Sequence, residues 1–365
     1  MDIFMKIGFD ARPLIGKRTG IGNYIWSLLS EIANLMPDAE FIAYCPEGFT
    51  PFFPDNLQCP IVRSNQAFPL MSGYFWLQWR SASLIKKDNI NVFWATRTLY
   101  PSQLIGEIPV VTTVYDLNHL VCPETMPFVN MLAHKLYFKH NVVNATKVVA
   151  ISSGTAEKVK GLLKKNVDSV VVPGTGMEFS PRNTTEILAI RQKYKLSNPY
   201  ILFIGTLEPR KNLTILLDAF KIIRKNGFSN LNLVLVGQMG WKNKQLKNQL
   251  NQNIDGILEL GYVPNEDLAA IYSGSEAFIL PSLYEGYGMP AAEARACGTR
   301  VVASDIPELR EAGGAESIYI NPLSVDDLAQ GILKALSSEK PIAKDRVSWE
   351  MGAKSMVKIF KDLNI

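Results

Sequence analysis

The 365-residue chain is poor in the residues that build metal centres and disulfide frameworks, with only four cysteines and three histidines. Cys45, Cys59, Cys122 and Cys297 stand far apart and form no C-x-x-C pair. Neither a metal cluster nor a disulfide scaffold is readable from that spacing, and the pattern suits a reducing cytoplasm. Cys297 sits among small apolar residues and reads as a core thiol. No apolar run reaches the roughly 18 residues of a membrane-spanning helix. The opening MDIFMKIGFDARPL lacks the apolar segment of a secretion signal. Any membrane attachment is therefore expected to be peripheral, to the inner face of the plasma membrane. A dense basic run is also missing. The net charge is +4, and Lys158, Lys160, Lys164 and Lys165 fall at helical spacing, as a solvated face would. Such a balance suits an anionic small ligand or membrane surface and does not call for nucleic acid. The G-x-G-x-x-G fingerprint is absent as well, which disfavours a nicotinamide oxidoreductase.

What is present is an ordinary globular composition, 47% hydrophobic and 20% charged, in a chain long enough for two domains. Short runs rich in Val and Ile, without polar alternation, read as strands covered on both faces. In the first half they are 5–9, 40–45, 92–95, 110–114, 147–151 and 169–172. In the second half they are 200–204, 231–236, 257–260, 277–280, 300–303 and 317–320. Amphipathic stretches such as 23–36 and 213–226 fill the gaps, so the expected class is α/β with two parallel-sheet, Rossmann-like domains. The Gly- and Pro-rich PGTGMEFSP, residues 173–181, reads as the linker. This gives an N-terminal domain over 1–175, a C-terminal domain over 182–348, and a helix over 349–365 that crosses back to the first domain. Open parallel sheets bind ligands at the carboxyl ends of their strands, so a cleft between two such domains is the place to seek chemistry.

The strongest constellation is PSLYEGYGMPAAEARACG, residues 281–298. A strand ends near Leu280, a loop carries Glu285, Gly286, Tyr287 and Gly288, and Pro290 suits the first helical position. The N–H groups of Gly288 and Met289 then open a helix, where donors and dipole together favour phosphate. Glu293, one turn into that helix, can accept from a vicinal diol such as a ribose. Glu285 stands nearer the far end of a bound diphosphate and can accept from sugar hydroxyls. A second constellation is ILFIGTLEPRKNL, where a strand ends at Gly205 and a loop then offers Arg210 and Lys211, two cations suited to a diphosphate. A third is DARPLIGKRTGIGNY, a loop ending in Gly20 and Gly22 before a helix. A fourth is VVTTVYDLNHLVCPE, which places Tyr115, Asp116 and His119 just after a strand.

Glu285 and Glu293 match the E-x7-E motif, and with these four segments the chain resembles the retaining glycosyltransferases of family four, which have the GT-B fold. The resemblance covers most of the chain and extends through GTRVVASDIPELREAGG and IYINP. It implies that Arg210 and Lys211 contact a donor pyrophosphate, that Gly20 and Gly22 face the donor phosphates across the cleft, and that the backbone around Tyr262 and Val263 reads the base. Thr206 stands where some members carry a further arginine. Tyr115 stands where related enzymes have a histidine that touches the transferred sugar; His119 is the nearby candidate to replace it, and Asp116 to orient the acceptor.

The resemblance implies a hexosyltransferase that takes its sugar from a nucleotide diphosphate. It looks most like enzymes using GDP-mannose for bacterial surface polysaccharide, with UDP-hexoses as the alternative donors and a non-catalytic sugar-nucleotide-binding module as the alternative function. An epimerase or a phosphorylase of the same fold is the neighbouring enzymatic alternative; a phosphorylase would want greater length and a cofactor lysine. The acceptor is expected to be a saccharide or a lipid-linked saccharide. No D-x-D occurs in a loop suited to it, so no metal or other cofactor is expected, and Lys211, Arg210 and helix-terminal N–H groups would stabilise the leaving group. No nucleophile is evident, which favours front-face attack with Glu285 positioning the sugar. The aromatic GYFWLQW, residues 73–79, reads as a helix burying its rings. The apolar loop 49–53 invites the same caution, though either segment offers a surface to a lipid-linked acceptor.

Overall fold

A computed structural model describes residues 5–16, 20–57, 60–65, 73–251, 254–343 and 346–363. The chain divides into two compact units. Unit 1 comprises Met1–His119, Phe128–Gly174 and Val347–Ile365, and unit 2 comprises Leu120–Pro127 and Thr175–Arg346.

Unit 1 is built on β1 (Lys6–Asp10), β2 (Glu40–Pro46), β3 (Ile61–Asn65), β4 (Val92–Ala95), β5 (Val110–Val114), β6 (Lys147–Ala150) and β7 (Ser169–Val170). They form one sheet in the order β3-β2-β1-β4-β5-β6-β7. Every pairing is parallel, with Ile7 beside Phe41 and Val92 for example. Strands β4 and β5 are buried along their whole length, as a sheet covered on both faces requires. Strand β3 was not expected. Its sequence IVRSN alternates in burial because it lies at the sheet edge, half solvated, and so lacks the apolar run that marks the other strands.

The helix Trp349–Lys361 belongs to unit 1. Trp349 meets Tyr24 edge-on at 5.6 Å and Phe360 meets Trp94 at 6.1 Å. Ser348 caps its start by accepting from the Glu350 N–H at 3.1 Å. A side chain at Gly174 would collide with Trp349, which fixes a glycine there. Of the aromatic run at 73–79, Trp76 is buried in a helix but Trp79 is 66% exposed, so only part of that run serves the core. Phe49 and Phe52 are also exposed.

Unit 2 contains β8 (Tyr200–Ile204), β9 (Asn232–Val236), β10 (Ile257–Gly261), β11 (Ala277–Leu280), β12 (Val301–Ser304) and β13 (Ile318–Ile320). These too are all parallel, in the order β10-β9-β8-β11-β12-β13. Helix Leu213–Lys225 covers this sheet with Leu213, Leu216, Leu217, Phe220 and Ile223, an apolar stripe at the helical period. Residues 173–181 contain no helix or strand. The inclusion of Leu120–Pro127 in unit 2 had no sequence signal. Trp241 Nε1 donates to the Thr125 carbonyl at 2.5 Å and Lys242 Nζ to that of Glu124 at 2.7 Å, holding the segment through backbone oxygens that any sequence would supply.

No helix among the described residues is long and apolar enough to cross a membrane.

Candidate active site

In unit 2 the strand order reverses between β8 and β11. Loops leaving the carboxyl ends of two such strands diverge, and the crevice between them is where open parallel sheets hold ligands. The loop after β8 carries Gly205 to Lys211, and the loop after β11 carries Pro281 to Gly288. The two are joined by the Leu283 N–H donating to the Arg210 carbonyl at 2.9 Å, and Asn212 Nδ2 donates to the Pro281 carbonyl at 3.1 Å.

The centre of this crevice is Glu285, only 5% exposed. Its Oε1 accepts from Lys211 Nζ at 2.5 Å and from Ser282 Oγ at 2.7 Å, and its Oε2 accepts from Arg210 at 2.7 Å. Burial opposes ionisation and is the largest single influence. The charges of Arg210 and Lys211, with the Lys211 and Ser282 hydrogen bonds, overcome it and hold the carboxyl down at about 2. Arg210 also donates to the Tyr284 carbonyl, and its other terminal nitrogen to Glu208 Oε1, both at 2.7 Å. Glu208 is itself buried. Two cations thus alternate with two carboxylates. Glu285, Arg210 and Lys211 stand out in the sequence motifs, whereas Glu208 and Ser282 do not. Glu208 was legible as an acid two residues before the arginine; Ser282 carried no signal beyond its place in the loop.

Gly205 lies at the end of β8 with φ +151, its N–H on the Val236 carbonyl at 2.9 Å. Its carbonyl packs against Gly237 so closely that a side chain there would overlap it. Thr206 beside it is exposed. Gly237 in turn donates to the Gly261 carbonyl at 2.7 Å, so three strand-end loops lie side by side. Tyr262 follows Gly261 and is 57% exposed, whereas the Val263 side chain is buried.

The helix expected after Gly288 runs Met289–Ala296, with Gly288 at φ +106 as its cap. Pro290 occupies its second position, one later than expected. The Ala291 and Ala292 N–H groups bond back to the Gly288 carbonyl at 2.9 and 3.3 Å. Proline supplies no N–H, so the donors without a partner among the described residues are those of Gly288 and Met289. Glycine suits 288 because φ is positive there, and an added Cβ would press on the Leu309 side chain and force it to shift. Tyr287 is buried in the protein, and loss of hydration pushes its phenol up to about 12. It packs the loop from within. Glu293 is half-buried at the start of the second turn, where Tyr272 donates to its Oε2 at 2.9 Å. Desolvation pushes this carboxyl up to about 7; the Tyr272 hydrogen bond lowers it and the nearby Glu178 raises it. Glu285 and Glu293 are thus opposite in character, one a paired anion and the other poised to titrate at neutrality.

In unit 1 the strand order reverses between β1 and β4. Asp10 ends β1 and is fully buried. Arg12 clasps it with Nε at 2.8 Å and a terminal nitrogen at 2.7 Å, and reaches the Gly73 carbonyl with its other terminal nitrogen. Thr96, just beyond β4, donates to the Asp10 carbonyl at 2.5 Å. This ion pair was not anticipated, although both residues stand in the segment DARPL. Gly20 and Gly22 differ from expectation. Among the described residues the helix runs Gly20–Leu35, so both glycines lie within it and not in a loop before it. Gly22 is buried, and nothing lies within 4 Å of a Cβ built at Gly20.

Tyr115, following β5, is buried, packed edge-on against Tyr24 at 5.4 Å, and its hydroxyl finds no partner among the described residues. Burial raises its phenol far above the ordinary range. Asp116 Oδ1 accepts from the Asn118 N–H at 3.0 Å, a turn that starts the following helix. His119 is buried with its ring 4.2 Å from Phe138 and 5.1 Å from His134. Loss of hydration, then the neighbouring His134, pushes it down to about 3, so it is neutral at physiological pH. Cys297 is a buried thiol whose burial pushes it up to about 12, as a core cysteine should be. Cys59 lies outside the described residues. No group of three or more potential metal ligands occurs among the described residues.

Two all-parallel sheets, the second with this acid and base cluster at its switch point, define the GT-B class, and the chain is a glycosyltransferase. Residues 186–356 match the family described as Glycosyl transferases group 1. The chain is 29% identical over 350 residues to the O-antigen chain mannosyltransferase B of Escherichia coli, covering 92% of this chain and 91% of that one. It is 25% identical over 212 residues to the O-antigen chain mannosyltransferase RfbU of Salmonella typhimurium, covering 58% and 56%. In fold it matches the sucrose-phosphate synthase of Thermosynechococcus elongatus with TM-score 0.78 at 18% identity, over 98% and 99% of the two chains. It also matches WaaG, a glycosyltransferase involved in lipopolysaccharide biosynthesis, with TM-score 0.69 at 14% identity, over 98% and 95%.

Proposed function

We propose that this glycosyltransferase moves mannose from GDP-mannose to a saccharide or lipid-linked saccharide acceptor, with retention of configuration and without a metal ion. The observation that carries the reading is the buried Glu285 joined to both Arg210 and Lys211 at the switch point of unit 2. Two mannosyltransferase relatives support the sugar. Arg210 and Lys211 are the cations for the donor diphosphate, aided by the Gly288 and Met289 N–H groups, and they stabilise charge on the departing phosphate. Glu293, as a carboxylate, accepts from the ribose diol. Both oxygens of Glu285 are already engaged. That suits a residue which positions the sugar and does not attack it. The departing phosphate oxygen would then take the acceptor's proton on the same face. The free thiols Cys45, Cys122 and Cys297 suit a cytoplasmic enzyme, attached to the membrane only peripherally.

The test is a thermal-shift panel of GDP-, UDP- and dTDP-sugars, since a ligand raises apparent stability by mass action. Transfer to a lipid-linked saccharide is then followed with and without EDTA. The expected result is stabilisation by GDP-mannose above the other donors, turnover unaffected by EDTA, and a product whose one-bond C–H coupling at the new anomeric carbon matches the donor's configuration. Preferential stabilisation by a UDP-hexose would replace the donor, loss of turnover in EDTA would overturn the metal-free step, and an inverted linkage would overturn retention.

A further inference from the structure

We propose that the outer face of helix Phe128–Asn144 in unit 1 docks on a bilayer carrying anionic headgroups. This deepens only the peripheral-attachment part of the proposed function and is independent of the donor. Phe128, Leu132, Leu136 and Val143 are 69%, 39%, 58% and 37% exposed. They recur at helical spacing, and at about 100° per residue they share one arc of roughly 100° with the exposed Lys135 and Lys139. The adjoining face of the helix buries Phe138, Asn141 and Val142 completely, so the rotation of the helix is fixed and the apolar arc is held outward.

Charge selects the occupant. The helix FVNMLAHKLYFKHNVVN contains no aspartate or glutamate. Lys165 donates to the Val143 and Ala145 carbonyls at 3.0 and 3.2 Å, which ties the preceding turn to this helix's C-terminal end. That turn exposes Lys160, Lys164 and Leu162, the last by 51%. The nearby Asp168 is committed to Lys147 at 3.1 Å. A protein interface of this kind would be depleted of lysine at its centre. Apolar side chains interleaved with lysines on one helix face fit the boundary between headgroups and acyl chains, where each buried CH₂ and each cation adds to binding.

The full chain is to be sedimented with vesicles of phosphatidylcholine alone and with about one third phosphatidylglycerol, beside F128S/L136S and K135Q/K139Q. All four substitutions are at exposed positions, and circular dichroism and melting temperature check that each variant folds. The expected result is binding only to the anionic vesicles, weakened by high salt, with a loss of tenfold or more in each variant. Variants that bind as well as the native chain would overturn the helix assignment while leaving peripheral attachment intact. No binding by the native chain would overturn both. A native dimer that F128S/L136S converts to monomer would make the face a contact between copies of the chain and overturn the proposal.

Discussion

Replacing Glu285 by glutamine tests the electrostatic account of the site. The native carboxyl falls from an ordinary 4.5 to about 2 because Arg210 and Lys211 outweigh its burial. At about 1.4 kcal/mol for each tenfold change in proton affinity, this is worth about 3 kcal/mol of folding stability. The sign follows from the depressed value. The contribution is fully present above the unfolded-state pKa near 4.5 and is lost as pH falls through about 2. Glutamine keeps the shape and one acceptor but leaves Lys211, itself buried, without its counter-ion. Urea unfolding of E285Q and the native chain, followed from pH 7 down to pH 2.5, should show a gap of about 3 kcal/mol at neutrality that narrows below pH 4.5. Adding K211M to E285Q removes the stranded cation and should recover part of the loss. A gap that stays constant with pH, or costs of E285Q and K211M that simply add, would refute the reasoning.

Three further outcomes are expected. Gly288→Ala combines a left-handed φ with a collision against Leu309 and should cost about 2 kcal/mol or more in thermal unfolding; an unchanged melting temperature would show the turn to be free of strain. On the proposed donor site, affinity for GDP should rise as pH increases through about 7, because Glu293 would accept from a ribose only as a carboxylate. Tyr272→Phe removes the hydrogen bond that lowers the carboxyl and should move that midpoint upward in calorimetric titrations; because folding itself raises this carboxyl, its proton-linked stability is present below the unfolded value and is lost as pH rises through about 7. Glu208→Ala frees one side of Arg210 and should weaken GDP binding about tenfold in the native background but by much less in R210A, so that additive losses would show Glu208 to act elsewhere.

The sequence by itself determined the architecture. Twelve apolar runs without polar alternation marked the covered parallel strands, because burial on both faces leaves no room for polar residues. It also determined the chemistry of the turn at 281–298, where glycine, proline and two glutamates must stand close in sequence to build one loop and one helix start. Edge strand β3 was illegible because a half-solvated strand has no such run. Only the tertiary structure decided what each charged group became. Glu285 and Glu293 are the same residue type eight positions apart, yet one meets two cations 74 and 75 residues distant and stays ionised, while the other meets a tyrosine hydroxyl and titrates near neutrality. It likewise decided that Glu208 completes the cluster, that His119 is a neutral ring against Phe138, and that Leu120–Pro127 joins unit 2. The reason is common to all of these. Ionisation and docking depend on which distant groups share a low-dielectric space, and chain spacing encodes only the groups that are near in sequence.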